Sequence, residues 1–165
     1  MVLNILHYPD PILAQKAKPV DKLTPELRAL IGDMVETMYE KEGVGLAAPQ
    51  VGHSVRLICL DPTGPKERTN LMVVFNPEIV AREGFVEDEE RCLSVAETSC
   101  KIIRSDKITV RGLDQTLAPV RYECDGYLSR VFQHEIDHLD GKTIVDHMSR
   151  LKRTMYEKKI KKWQI

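Results

Sequence analysis

No apolar run in this 165-residue chain nears the roughly 20 residues needed to cross a bilayer. Runs such as LICL at 57–60 and LMVVF at 71–75 are far too short. The opening segment, MVLNILHYPDPIL, has no basic region and meets Pro9 and Pro11 early, so no export signal is visible. Cysteine is sparse: Cys59, Cys92, Cys100 and Cys124. With no sign of export, these are expected to be reduced thiols in a cytoplasmic protein, and a conspicuous one reads as a ligand or nucleophile rather than half of a disulfide. Net charge is also nearly absent, at −1 from 24 Lys+Arg against 25 Asp+Glu. No global field therefore recruits DNA or an anionic membrane. Internal repeats, low-complexity tracts and Gly/Ser/Pro-rich linkers are missing, which points to a single main domain.

The composition, 42% hydrophobic and 30% charged, is that of an ordinary globular protein with enough chain for its own core. The charge is unevenly placed. Residues 82–90 carry five acids and one base, whereas residues 150–165 carry seven bases and one acid. That division gives a main domain over 1–148 and a basic helical tail over 149–165, packed on the domain or extending from it.

Thr24-Pro25-Glu26 is a helix start, and Leu27, Leu30, Ile31, Met34, Val35 and Met38 follow one helical face to an expected end near Gly43. Asp10-Pro11 is a second candidate start. From 55 to 122 the texture becomes short β-type runs: VRLICLD, LMVVFN before Pro77, CKIIR, KITVRGL and LAPVRYE. Helical spacing returns over 125–139 (Leu128, Val131, Phe132, Ile136, Leu139), with Gly141 as the stop. Helix, then strands, then helix predicts an α+β fold with a mostly antiparallel sheet.

The most informative residues are His134-Glu135-Ile136-Asp137-His138. At 100° per residue, His134 and His138 lie about 40° apart and one turn displaced, so both imidazoles can hold one cation. Glu135 stands beside them, where a base would take a proton from water. Two histidines and two acids on an otherwise apolar helix are costly without a partner, and a metal supplies one.

The third ligand is open on residue patterns alone. A third histidine of the extended metalloprotease pattern would fall at 144, which is isoleucine. Glu157 has the spacing of another protease class, although it stands among bases. Cys92, in the loop-like ERCLS, is the best-placed thiolate. Cys124 just precedes the helix and, joining Cys92 and both histidines, would make a closed structural site.

Three segments together, GVGLAAPQ at 43–50, ERCLS at 90–94 and QHEIDHLDG at 133–141, resemble the peptide deformylases; ILHYPDPILAQKAKPV at 5–20 is similar to the opening of that family. The resemblance implies α+β architecture with mostly antiparallel sheets around a central metal-binding helix, N-terminal helices and a C-terminal basic helix. It implies a metal-dependent hydrolase that removes formyl from the N-terminal formyl-methionine of new polypeptides. The ion would be Fe2+, with Ni2+, Co2+ or Zn2+ as substitutes, held by Cys92, His134 and His138. Glu135 would be general base and then acid. Gln50 and the backbone N–H of Leu93 would bind the formyl oxygen, and Val44, Gly45, Glu90 and Arg91 would line the cleft. In related bacterial deformylases a C-terminal helix contacts the ribosome.

One departure stands out: Arg91 replaces the family's usual glycine before the cysteine. Were φ > 0 needed there, arginine would cost on the order of 1 kcal/mol or more. Two other readings follow: a non-catalytic, metal-stabilised relative whose cleft Arg91 has altered, and a metallopeptidase using Glu157 as ligand.

Overall fold

Alternation of apolar residues in LICL and MVVF sends side chains to both faces of one sheet, and both faces are covered. The computed structural model describes residues 1–163; the last two residues of the tail expected at 149–165 lie outside the described residues. Its strands are β1 (Gly45–Ala47), β2 (Leu57–Leu60), β3 (Met72–Glu83), β4 (Val86–Cys92), β5 (Val95–Arg104), β6 (Lys107–Leu113) and β7 (Pro119–Asp125). The helices are α1 (Pro25–Glu40), α2 (Gly64–Glu67), α3 (Gly126–Leu139) and α4 (Arg150–Trp163). Five strands form an antiparallel sheet in the order β1-β2-β3-β6-β7, and β4 and β5 form a separate antiparallel hairpin.

Ile58, Leu60, Val74 and Val110 face Val131, Phe132, Ile136 and Leu139 of α3. Leu57, Cys59, Val73 and Phe75 face Leu30, Met34 and Met38 of α1. Burial on both faces explains why β2 and the start of β3 are continuously apolar rather than alternating. The α1 helix begins as its sequence predicts, with Pro25 in the first turn and the Thr24 hydroxyl accepting from Leu27 N–H at 3.2 Å.

Two expectations shift. Asp10-Pro11 starts only a four-residue 3₁₀ turn, Pro11–Ala14, capped by the Asp10 carboxylate. The strand expected to stop before Pro77 continues to Glu83 through a register shift. Asn76 there adopts φ +51° while its amide side chain pairs with the Val20 backbone in both directions, at 2.8 and 2.6 Å. A bulge accommodates a proline that a regular ladder would reject.

The β4–β5 hairpin forms a third cluster with the 3₁₀ turn Ile144–His147 and α4: Val95, Cys100 and Ile102 pack against Ile144, Val145, Met148, Tyr156 and Ile160. Tyr156 donates its hydroxyl to the Ala96 carbonyl at 2.9 Å, Lys159 Nζ reaches the Glu97 carbonyl at 3.3 Å, and Lys152 Nζ reaches that of Ser99. The basic helix therefore lies on the domain. Among the described residues no helix is long and apolar enough to cross a membrane.

Candidate metal centre

The core helix α3 carries His134 and His138 on one side, their ring centroids 5.1 Å apart. Across from them, the end of β4 delivers Cys92, whose Sγ lies 3.3 Å from His138 Nε2. One ligand atom from each of the three falls within 4.8 Å of the others. Tetrahedral bonds of roughly 2.0–2.3 Å set donors about 3.5 Å apart, so a thiolate with two imidazoles in this arrangement fits a divalent cation. Three protein donors leave a fourth position for water or substrate, as catalytic rather than structural sites do.

The other candidates are elsewhere. Cys124 lies on β7 within the main core, and burial pushes its thiol up to about 11. Glu157 accepts from the Tyr8 hydroxyl at 2.8 Å and from Arg153 Nε at 3.2 Å, an exposed cluster tying α4 to the N-terminal segment. Among the described residues neither joins the metal group, which removes both the closed four-ligand site and the Glu157 peptidase.

Electrostatics single out the same cysteine. Burial alone would raise the Cys92 thiol, but the charge of His138 and the hydrogen bonds of both histidines outweigh it and hold the thiol well below its ordinary range. Burial pushes the Cys59 and Cys100 thiols up. Burial also pushes the Glu135 carboxyl up, against the pull of His134 and His138. Its Oε1 is buried with no hydrogen-bond partner among the described residues, and so is Nδ1 of His138.

Gln50 sits in the 3₁₀ turn Ala48–Val51 that follows β1. GVGLAAPQ thus forms the edge strand β1 and then this turn. Gln50 Oε1 accepts from Ala47 N–H at 2.9 Å, which aims Nε2 at Ser94 Oγ, 3.1 Å away, and at Cys92 Sγ, 3.7 Å away. Leu6 N–H and Tyr8 N–H bond to the carbonyls of Gln50 and Ser94, so one N-terminal segment pins both walls.

Val44, Gly45, Gln50, Glu90, Arg91, Cys92, Leu93, His134 and Glu135 all border one cleft of about 570 Å³, and His138 lies buried below it. Tyr127, Arg130 and Val131 of α3 also line it. Glu90 faces inward: His134 Nδ1 bonds its Oε1 at 2.9 Å, and Arg104 grips both its oxygens at 2.9 Å. Arg91 is exposed, has no ion pair among the described residues and is absent from those with positive φ. Sequence reading missed Ser94, Arg104, Gln133 and the outward role of Asp137. Arg104 left a signal, because Cys100, Ile102 and Arg104 share one alternating, buried face of β5.

An open site of one thiolate and two imidazoles beside a buried carboxylate, on an antiparallel α+β scaffold, defines a metal-dependent hydrolase. The sequence model of the family described as polypeptide deformylase matches residues 2–154. A peptide deformylase of Acidobacterium capsulatum is 47% identical over 166 residues, covering 99% of this chain and 96% of that one. The solved peptide deformylase of Legionella pneumophila superposes with a TM-score of 0.93 at 43% identity, over 99% of this chain and 96% of that one. That of Ehrlichia chaffeensis, solved in complex with actinonin, gives 0.90 at 35% identity, over 98% and 96%. The chain belongs to the polypeptide deformylase family.

Proposed function

We propose that this protein removes the formyl group from the N-terminal formyl-methionine of newly made polypeptides, in the cytoplasm, with Fe2+ as the resident ion. Cys92, His134 and His138 would hold the cation, and Ni2+, Co2+ or Zn2+ suit the same donors. Bound there, it supplies Lewis acidity, making water acidic enough to attack at neutral pH and polarising the carbonyl.

The residues of the chain do the rest. Glu135 takes a proton from the attacking water; its buried carboxyl, raised above the usual range, suits a base working near neutrality. As oxygen adds to the formyl carbon, negative charge gathers on the carbonyl oxygen, and Gln50 Nε2 and the Leu93 N–H donate to it. The C–N bond then breaks. Glu135 returns its proton to the departing amine, leaving formate and a free methionyl N-terminus. Beyond the reacting bond, the substrate backbone lies between β1 and β4, bordered by Val44, Gly45, Glu90 and Arg91, and pairs as an added strand. β1 stands at the edge of its sheet, and β4 has a free side.

Residues 1–148 carry this site, and the basic tail 149–165, which contains the helix Arg150–Trp163, is an appendage that presents bases to the ribosome. The single observation behind the catalytic reading is the unpartnered Glu135 oxygen beside the Cys92–His134–His138 cluster. Anaerobically purified, iron- or nickel-loaded protein should deformylate formyl-Met-Ala-Ser. Glu135→Gln should keep its metal and lose turnover; an active Glu135→Gln protein refutes the role given to Glu135.

A further inference from the structure

Of the two ligating imidazoles, only one has outside support. His138 Nδ1 is buried with no partner, whereas His134 Nδ1 bonds Glu90. The orientation of His134 therefore depends on what holds Glu90. That is Arg104, through Nε to Oε2 and Nη2 to Oε1. The third nitrogen of the guanidinium, Nη1, donates to Asp137 Oδ2 at 2.6 Å, and the same oxygen meets His147 Nε2 at 2.9 Å. The inner links are the more buried, with side-chain exposure of 10% at Glu90 and 5% at Arg104, against 22% at Asp137 and 30% at His147.

We propose that Asp137 and His147 are positioning residues for the metal centre, acting on His134 through Arg104 and Glu90. The inference rests on the cation lying at Cys92, His134 and His138. Asp137 belongs to the HEIDH run but turns away from the ligands. Gln133 bonds the Ser105 N–H and carbonyl at 2.9 and 2.8 Å, which holds the backbone directly after Arg104 in place. Planarity makes the guanidinium a rigid coupler: with all three nitrogens engaged, loss of Asp137 frees it to rotate, and Glu90 turns with it. Removal of such an outer partner typically costs about 10–100-fold in metal affinity or activity.

The test uses full-length protein loaded with Co2+, comparing the parent, Asp137→Asn, His147→Ala and His147→Gln. Release of Co2+ to a chelator and the Co2+ visible spectrum report the ligand sphere; kcat and KM are measured beside them. Asp137→Asn should release Co2+ about 10–100 times faster, with altered visible bands and a fall in kcat at unchanged KM. His147→Ala should show a smaller acceleration that His147→Gln, which keeps an N–H donor, reverses. Release and spectra indistinguishable from the parent, with only a lower melting temperature, overturn the proposal and leave the network structural. Should Asp137→Asn fail to fold, the surface pair at 147 decides alone. A parent chain that takes up no Co2+ refutes the metal reading itself, and the proposal with it.

Discussion

Gly45 and Glu135 are fitted to one another: a Cβ built at position 45 would lie 2.3 Å from Glu135 Oε2 and 2.8 Å from its Cδ. Absence of a side chain at position 45 is what lets the carboxylate stand beside Cys92, His134 and His138. Gly45→Ala should therefore displace Glu135 without disturbing the sheet, since the clash is with the Glu135 side chain from Cγ outward and not with backbone. A displacement of that order costs about 10²-fold in kcat, with little change in melting temperature. Steady-state kinetics beside a thermal melt checks this; undiminished kcat would mean that Glu135 works from elsewhere.

Burial opposes ionisation of Glu90, but Arg104 and His134 prevail and hold its carboxyl down to about 2, from an ordinary 4.5. A carboxyl held lower in the folded than in the unfolded chain stabilises the fold above the unfolded value. That stabilisation fades as pH falls from about 4.5 towards 2. Its size at neutral pH is on the order of 3 kcal/mol. In metal-free protein, Glu90→Gln should be much less stable than the parent near neutrality, and the two should converge in strong acid. Urea midpoints across that range test it; a constant gap would show that the ion pair does not titrate as described.

Arg91 departs from its family's usual glycine without departing from ordinary backbone geometry, because its φ is not positive. Arg91→Gly should leave kcat/KM on formyl-Met-Ala-Ser little changed. An inactive parent carrying a full complement of metal, rescued by Arg91→Gly, would show instead that the side chain shuts the cleft.

Lys158, Lys161 and Lys162 of α4 are exposed, whereas Tyr156 and Ile160 hold the helix down. Changing those three lysines to glutamate should abolish a salt-sensitive association with ribosomes, because attraction to phosphate scales with the charges engaged. Deformylation of short peptides should be unchanged. Co-sedimentation at two salt concentrations reads this, and undiminished binding by the variant removes the tail from the interaction.

Much of this architecture is legible in the residues themselves. Thr24-Pro25 and the apolar spacing behind it announce α1, and the HEIDH spacing announces the metal helix. β4 escapes that reading because VEDEERC has almost no apolar alternation: the residues it turns towards α3 are Asp88, Glu90 and Cys92, bound to Arg130, His134 and the ligand cluster rather than to a core. A strand whose inner face is a functional site lacks the hydrophobic signature by which strands are found. The extension of β3 past Pro77 is hidden for a different reason, since it depends on Asn76 meeting Val20 from another part of the chain. Similarly, nothing local to His147 reveals that it meets Asp137.

The two sides of the metal centre belong to separately hydrogen-bonded pieces: α3 is packed on the five-stranded sheet, and Cys92 ends a strand of the detached hairpin. A cation joining them is a cross-link as well as a reagent. Occupancy at 100 times its dissociation constant would add about 2.7 kcal/mol to the folded state. A cation held there would thus add a bond set to the ion pairs Glu90–His134, Arg104–Asp137 and Arg130–Asp88 that already span the same seam, so metal loading would tighten the cleft as well as supply its chemistry.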